Sequence, residues 1–551
     1  MRGKSYDEIY RSFDWNDVWK YLDWKGPELN IAHEYVDRHD SHRVALFWED
    51  AQGRSAKYTF HEMKVLSNRL ANALESLGIT KGDRVGLLLP RIPEHWISMI
   101  GIWKVGAISV HIFTAFGPDA ITYRLNTSEA KALITDQANL AKVEVEKIPT
   151  LKHIIVVTEP SVKLPEKYLS FWDLINSSSK SYDVAKTREN DVCALFFTSG
   201  TTGPPKGVMI PHSGACKWLI PWYIYALGIT DKDLHFNTAD PAWTYGAFTV
   251  GLSNWLFGNP MLVYNGPFDP EAWFRLIQKY GVTTMGAAPT AYRMLIANPE
   301  LVAKYDLTSL RVLYTGGEPA TKEVVLRVEK VLGAPLYESY GITEVSMIIN
   351  NYAGIETWKV KPGSIGRELP GIEVILVDEQ GNEVKRGEVG EIAIKHHPGF
   401  LGCGYWKAMD AWNKKFLRGE YFLSGDLAYM DEDGYYWFVG RADDLIKTAA
   451  YRVGPSEIEE VIMTHPDVIE VAVIGKPDPI RGSIIKAFVV ARHPSEKLAK
   501  EIQDLVRERY SKVAYPREIE FVDSLPKTET GKIMRRVLRE MEIRKLKSSS
   551  S

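Results

Sequence analysis

Cysteine is scarce in this chain: Cys193, Cys216 and Cys403 are the only three in 551 residues. They stand too far apart for a disulfide framework or a paired-cysteine metal site, and a reducing, intracellular setting is expected. Charge of one sign is also lacking. The 67 Lys and Arg nearly balance 70 Asp and Glu, for a net charge of -3. That excludes the strongly basic footprint of a nucleic-acid-binding protein, and no acidic tail is present. Long apolar runs are missing too. The most apolar stretch, Trp96 to Phe113, is interrupted by Lys104 and contains Gly101 and Gly106. A membrane span needs about 20 nearly uncharged apolar residues, so this stretch reads as a buried helix followed by a strand. The first residues, MRGKSYDEIYRSFDW, contain no signal-peptide core, and the cytosol is the expected compartment. His33-Glu34 and His61-Glu62 lack the second histidine of a zinc-protease helix. His396-His397 stands alone, and no transition-metal site is expected. Internal repeats are absent.

The length predicts two or more domains. Between about residues 60 and 345, short β-rich runs alternate with helical patterns. Strands are predicted at Arg84–Leu89, Ala107–Phe113, Ala132–Asp136, His153–Val157, Val192–Phe197, Met261–Tyr264, Val282–Met285 and Arg311–Tyr314. Helices are predicted at Phe60–Leu77, Glu94–Val105, Pro270–Tyr280 and Lys322–Val331. Apolar strands alternating with amphipathic helices imply parallel sheets covered on both faces. Near residue 360 the pattern turns antiparallel, with Glu373–Asp378 and Glu388–Lys395 flanking a Glu-Gln-Gly-Asn turn. After Arg441 a third region begins, with a helix near Ser456–Thr464, strands near Val468–Ile474 and Ile484–Ala491, a charged helix at 495–510 and a basic helix from Lys532.

The run Val192–Phe197 empties into Thr198-Ser199-Gly200-Thr201-Thr202-Gly203-Pro204-Pro205-Lys206-Gly207. Such a loop presents backbone N–H groups and hydroxyls to a cavity, donors that suit phosphate oxygens, and Lys206 adds a point charge. By composition alone, a solvated polar turn explains it equally well. It is not a Walker A loop, whose spacing differs. Gly531-Lys532 fails that pattern as well, because Pro526 stands where the first glycine belongs.

The whole string resembles the signature loop of the adenylate-forming superfamily, and other strings agree in the same order. Tyr340-Gly341-Ile342-Thr343-Glu344 resembles the family's adenine and metal motif. Leu423-Ser424-Gly425-Asp426 resembles its ribose motif, and Gly440-Arg441-Ala442-Asp443-Asp444-Leu445-Ile446-Lys447 its hinge motif. Pro526-Lys527-Thr528-Glu529-Thr530-Gly531-Lys532-Ile533 resembles its C-terminal lysine motif. The nearest subgroup is that of acetyl-CoA and medium-chain acyl-CoA synthetases. The resemblance implies an α/β fold: a large N-terminal domain over 1–442, of two doubly wound, mostly parallel sheets plus a small β-barrel-like subdomain. A small mobile α+β domain over 443–551 would follow and carry the catalytic lysine.

It also implies an AMP-forming acyl-CoA ligase that uses ATP, Mg2+ and coenzyme A on a small carboxylic acid. Joining two anions at the α-phosphorus demands charge neutralisation. Lys532 would reach the substrate carboxylate and the α-phosphate, and Thr343 would donate to the α-phosphate. Glu344 would help hold Mg2+, a hard ion that favours carboxylate oxygen. Thr198, Ser199, Gly200, Thr201, Thr202 and Lys206 would cradle the phosphates. Tyr340 would offer a face to adenine, with Gly316, Gly317, Glu318 and Pro319 supplying polar groups at the base. Asp426 would accept the ribose hydroxyls, with Arg441 and Arg452 as ribose or phosphate ligands. Outside the resemblance, Asp426 and Asp443 read as turn residues and the arginines as surface ion-pair partners. Asp443 would be the hinge between adenylating and thioester-forming arrangements.

Two departures from the subgroup bear on substrate. Acetyl-CoA synthetases carry tryptophan where this chain has Gly341, which implies an acid larger than acetate, from propionate to medium chain, with 4-hydroxybutyrate among the candidates. Trp243 would refill that space from another wall or simply pack in the core, and Thr290 is expected near the acyl site. Ala450, beside Ala449, replaces a glycine at the tunnel for the pantetheine arm of coenzyme A. A carrier-protein thiol is the alternative acceptor, although no carrier domain is evident. A non-catalytic nucleotide sensor is the remaining reading, disfavoured because Lys206, Thr343, Glu344, Asp426 and Lys532 occur together.

Overall fold

The computed structural model describes residues 3–24, 28–159, 161–198, 204–397, 400–444, 446–448, 451–478, 482–511, 515–527 and 533–548. The chain divides into two compact units. One comprises residues 1–362, 366–372 and 396–414; the other comprises 363–365, 373–395 and 415–551.

The first unit contains two sheets. The seven-stranded sheet runs in the order Leu169–Ser170, His153–Val157, Ala132–Asp136, Arg84–Leu88, Ile108–His111, Val192–Thr198 and Lys206–Pro211. Every neighbouring pair is parallel except the last. In the nine-stranded sheet, Leu336–Ile342, Val312–Gly316, Thr284–Gly286, His235–Asn237, Met261–Asn265 and Val44–Asp50 lie side by side and parallel. Antiparallel strands close its two edges: Ser346–Asn350 and Arg367–Glu368 on one side, Ser55–Thr59 on the other. Covered parallel sheets explain the unbroken apolar strands, since both faces are packed away from water.

Helix starts follow local chemistry. The helix Phe60–Ser76 opens with Thr59, whose hydroxyl accepts from Glu62 N while the Glu62 carboxylate accepts from Thr59 N. The next helix, Pro93–Lys104, opens with proline at its first position. These two helices approach so closely that a Cβ on Gly101 would lie 2.8 Å from Leu70 Cδ2. The glycine inside the apolar stretch is thereby explained. Lys104 is fully buried there, and its Nζ donates to Asp37 Oδ1 at 2.7 Å and Asn68 Oδ1 at 2.6 Å. Burial pushes this ammonium below the usual lysine range, and Asp37 opposes the shift.

The second unit holds a five-stranded antiparallel sheet, built from Val374–Val377, Gly390–Lys395, Tyr421–Met430, Phe416–Leu417 and Tyr436–Arg441. It also holds a three-stranded sheet of Val468–Asp478, Gly482–Ala491 and Glu518–Phe521, with the helices Pro455–Met463, Glu496–Arg509 and Arg535–Ser548. Residues 442 and 443 fall inside this unit. Gly454 joins its parts: a Cβ there would lie 2.5 Å from Val439 O, so the start of the helix Pro455–Met463 sits against the strand Tyr436–Arg441.

The buried Lys104 pair makes a stability prediction. Lys104→Met leaves Asp37 buried without its cation and should cost about 3–5 kcal/mol. A lowered thermal midpoint is expected, with much of the loss recovered in Lys104→Met/Asp37→Asn. An unshifted midpoint in the single variant would show that Asp37 finds water instead.

Candidate active site

In the first unit the carboxyl ends of the parallel strands of both sheets come together. Arg91, just past the strand Arg84–Leu88, donates from Nη1 to Thr238 O (3.2 Å) and from Nη2 to Gly266 O (2.6 Å), each following a strand of the other sheet. Phe113, past Ile108–His111, has its ring centroid 5.8 Å from that of Trp243. Asp240 lies in the same segment, and burial raises its carboxyl to about 6.

The strand Leu336–Ile342 ends in the turn that carries Thr343 and Glu344 and returns as Ser346–Asn350, with a register shift between Tyr340 and Gly341. Tyr340 is buried. A Cβ built on Gly341 would lie 2.1 Å from Ser346 O and 2.8 Å from Met347 Cα. The position therefore admits no side chain in this backbone, an indole least of all. Close approach of the two strands accounts for the glycine, so added volume for the acid does not follow from Gly341 alone.

Three hydrogen bonds from two parts of the chain hold the Glu344 turn. Trp218 Nε1 donates to Val345 O (2.8 Å), Gly402 N donates to Glu344 O (2.8 Å), and the Tyr405 hydroxyl donates to Glu344 Oε1 (2.6 Å). Burial, then the neighbouring Glu344 carboxylate, push the Tyr405 phenol well above the usual tyrosine range. Ser346 takes a positive φ of 62° to close the turn.

Thr198 and Lys206 face each other across the antiparallel pair Val192–Thr198 and Lys206–Pro211, and the loop between them is the predicted phosphate cradle. Its Ser199, Gly200, Thr201 and Thr202 lie outside the described residues. On its other side, Lys206–Pro211 receives residues 403–406: Cys403 N donates to Met209 O, Met209 N to Gly404 O and Trp406 N to Gly207 O. This pairing sets Tyr405 beside the strand, with Lys206 Nζ 5.9 Å from its ring centroid. Tyr405 and Gly402 were missed in the sequence reading. Their only local signal is a glycine-rich aromatic string, Gly402-Cys403-Gly404-Tyr405-Trp406.

Gly316 ends its strand, and Gly317 turns at φ 86°. The Thr290 hydroxyl donates to Glu318 Oε2 (3.0 Å) and accepts from Arg293 Nη2 (2.6 Å), tying the loop Gly316–Pro319 to the helix Pro289–Leu295. In the second unit, Asp426 and Arg441 are cross-strand partners, with Arg441 Nη1 donating to Asp426 Oδ1 at 3.0 Å. Asp443 lies in the turn Ala442–Asp444, and Arg452 pairs with Lys447 in a short hairpin. Lys532, Ala449 and Ala450 lie outside the described residues.

Comparison with known proteins fits this arrangement. Residues 33–406 match the family described as AMP-binding enzyme, and residues 457–532 match the AMP-binding enzyme C-terminal domain. The chain belongs to the AMP-binding enzyme family. It is 41% identical over 557 residues to the acetyl-coenzyme A synthetase of Bacillus subtilis (strain 168), covering 98% of this chain and 95% of the relative. It is 36% identical to the mitochondrial acyl-coenzyme A synthetase ACSM3 of Homo sapiens, covering 90% and 86%. The anthranilate CoA ligase AuaEII, solved with anthranoyl-AMP, superimposes with a TM-score of 0.88 at 31% identity, covering 98% of this chain and 100% of that one. As a member of this adenylate-forming family, the protein is an AMP-forming acid–thiol ligase whose partners are a carboxylic acid, ATP and coenzyme A. Among the described residues no helix is long and apolar enough to cross a membrane.

The donor set also suits a hard cation at Glu344. Among the described residues no three His, Cys, Asp or Glu side chains gather as an all-protein cage. Tyr405 takes one carboxylate oxygen, which leaves the other for an ion that keeps water and phosphate oxygens as its remaining ligands.

Gly341→Ala tests the geometry of this turn. Its methyl would meet the Ser346 carbonyl, so a lower thermal midpoint and a loss of adenylation of about tenfold or more are expected. Wild-type turnover by Gly341→Ala would show that the hairpin shifts freely and restore the pocket reading.

Proposed function

We propose that this AMP-binding enzyme activates a short- to medium-chain carboxylic acid larger than acetate, with hydroxylated acids such as 4-hydroxybutyrate in range, and transfers the acyl group to coenzyme A in the cytosol. The observation that carries the adenylation reading is the gathering of Lys206, Tyr405 and the Glu344 turn where the phosphate hairpin and the Leu336–Asn350 hairpin meet. An acid carboxylate oxygen attacks the α-phosphorus, and pyrophosphate leaves. The coenzyme A thiolate then attacks the acyl carbonyl carbon, and AMP leaves with the bonding pair.

In this scheme Lys206 and the 198–203 loop hold phosphate oxygens, and Thr343 donates to the α-phosphate. Tyr340 and the Gly316–Pro319 loop flank adenine. Asp426, already oriented by Arg441, accepts the ribose hydroxyls, and Arg452 adds a further cationic contact. Lys532 neutralises the carboxylate and α-phosphate together. Mg2+, when bound, neutralises phosphate charge, and Glu344 is the residue that would hold it. Ala449 and Ala450 flank the pantetheine path, and Asp443 is the hinge of the small domain at 443–551. The cytosolic setting rests on three cysteines that stand free of disulfides.

The acid size rests on the strand-end wall. Trp243 and Phe113 present apolar rings there, and such surface rewards an alkyl chain by about 0.8 kcal/mol per methylene. Proteins related to this one take acids as different as those of an acetyl-coenzyme A synthetase and an anthranilate CoA ligase, so the fold itself tolerates the range.

The test is pyrophosphate and AMP formation from ATP and Mg2+ over acids from acetate to octanoate plus hydroxybutyrates, each with and without coenzyme A. Coenzyme A-dependent turnover that peaks above acetate is expected. A peak at acetate would overturn the acid assignment, and ATP–pyrophosphate exchange without coenzyme A-dependent turnover would move the acceptor to another thiol. Lys532→Ala should lower adenylation by about 10²–10³-fold with ATP binding kept; unchanged turnover would contradict the mechanism.

A further inference from the structure

Tyr405 belongs to none of the strings that point to nucleotide chemistry, yet it touches residues from two of them. Its hydroxyl donates to Glu344 Oε1 at 2.6 Å, and Lys206 Nζ lies over its ring, 5.9 Å from the centroid. The side chain itself has little freedom. It is 4% exposed, its ring packs edge-on against Trp412 at 5.2 Å, and its backbone bridges Val208 while Trp406 N bonds Gly207 O at 2.7 Å. A donor fixed this firmly orients its acceptor at no further entropic cost when ligand arrives.

The second tether on the same turn, Gly402 N on Glu344 O, comes from the same segment three residues earlier. The segment 402–406 therefore fixes both the backbone and the carboxylate of Glu344, and it does so from a strand edge that also carries Lys206. The phenol hydroxyl donates to the carboxylate, and its ring face lies toward the Lys206 ammonium.

We propose that Tyr405 is a positioning residue, which holds one oxygen of Glu344 so that the other is presented to the cation of Mg2+·ATP. The proposal rests on the reading of Glu344 as the metal-side carboxylate. Tyr405 touches neither ATP nor the acid in this scheme and performs no proton transfer.

The test is ATP binding to the full-length protein by titration calorimetry, with and without Mg2+, for wild type, Tyr405→Phe and Glu344→Gln. Tyr405→Phe keeps the ring and removes only the hydroxyl. It should weaken binding of Mg2+·ATP by about ten- to hundredfold, the scale of a lost hydrogen bond to a charged group, raise the Mg2+ concentration needed for half-maximal pyrophosphate release, and leave binding of metal-free ATP as in wild type. Glu344→Gln should abolish the benefit of Mg2+. If Glu344→Gln loses that benefit while Tyr405→Phe matches wild type, the role of Tyr405 is overturned and the reading of Glu344 stands. If Glu344→Gln keeps the full benefit of Mg2+, the reading of Glu344 falls and the role of Tyr405 with it. Equal losses with and without Mg2+ in Tyr405→Phe would show a structural role only, and would also overturn the proposal.

Discussion

A parallel strand covered on both faces can release its polar backbone to a ligand only at its ends. In this protein the direction of twelve parallel strands in two sheets sends Arg91, Phe113, Thr198, Thr238, Gly266, Gly316 and Tyr340 to the carboxyl side. Each sits at or just beyond the last residues of its strand. The Arg91 guanidinium closes this edge, with one Nη on a carbonyl after each of two strands in the other sheet. The proposed chemistry is assigned there because an open α/β sheet gathers glycine loops, backbone N–H groups and strand-terminal side chains at the carboxyl ends of its strands.

Within that edge, the Glu344 turn is held by contacts that differ in kind. Trp218 and Gly402 fix backbone carbonyls, whereas Tyr405 fixes the carboxylate. Each bond is worth about 1 kcal/mol net, more where a charge takes part. Their larger effect is on placement, since a turn with a positive-φ serine and a glycine that grazes the facing strand has few other conformations to visit. The same logic orders the base of the site, where Thr290 and Arg293 engage Glu318 and leave the Gly317 backbone exposed.

Much of this was legible in the amino-acid string. The apolar runs Ala132–Asp136 and His153–Val157 are strands with those very limits, and Pro270–Tyr280 is a helix with those limits, because doubly covered strands and amphipathic helices write their burial into local pattern. The antiparallel strands Ser55–Thr59, Lys206–Pro211 and Ser346–Asn350 were not legible. Their pairing partners set them, and two of them directly follow polar motifs that read as loop. Tyr405 was invisible for a related reason. Its meaning arises only when residues 403–406 pair with Lys206–Pro211, roughly two hundred positions earlier, and no local spacing encodes that meeting. Gly341 shows the opposite error: a glycine read as space for substrate is, in three dimensions, a place where two backbones touch.

In the proposed reaction the acid passes through a mixed anhydride with AMP, formed where phosphate-holding and carboxylate-orienting elements meet. The most direct measurement supplies a substrate acid with both carboxylate oxygens labelled with heavy oxygen and follows the label by mass spectrometry. One heavy oxygen in AMP for each acyl-CoA formed, and none in pyrophosphate, is expected. Label in pyrophosphate or inorganic phosphate, with AMP unlabelled, would place the attack at another phosphorus and contradict the proposed reaction.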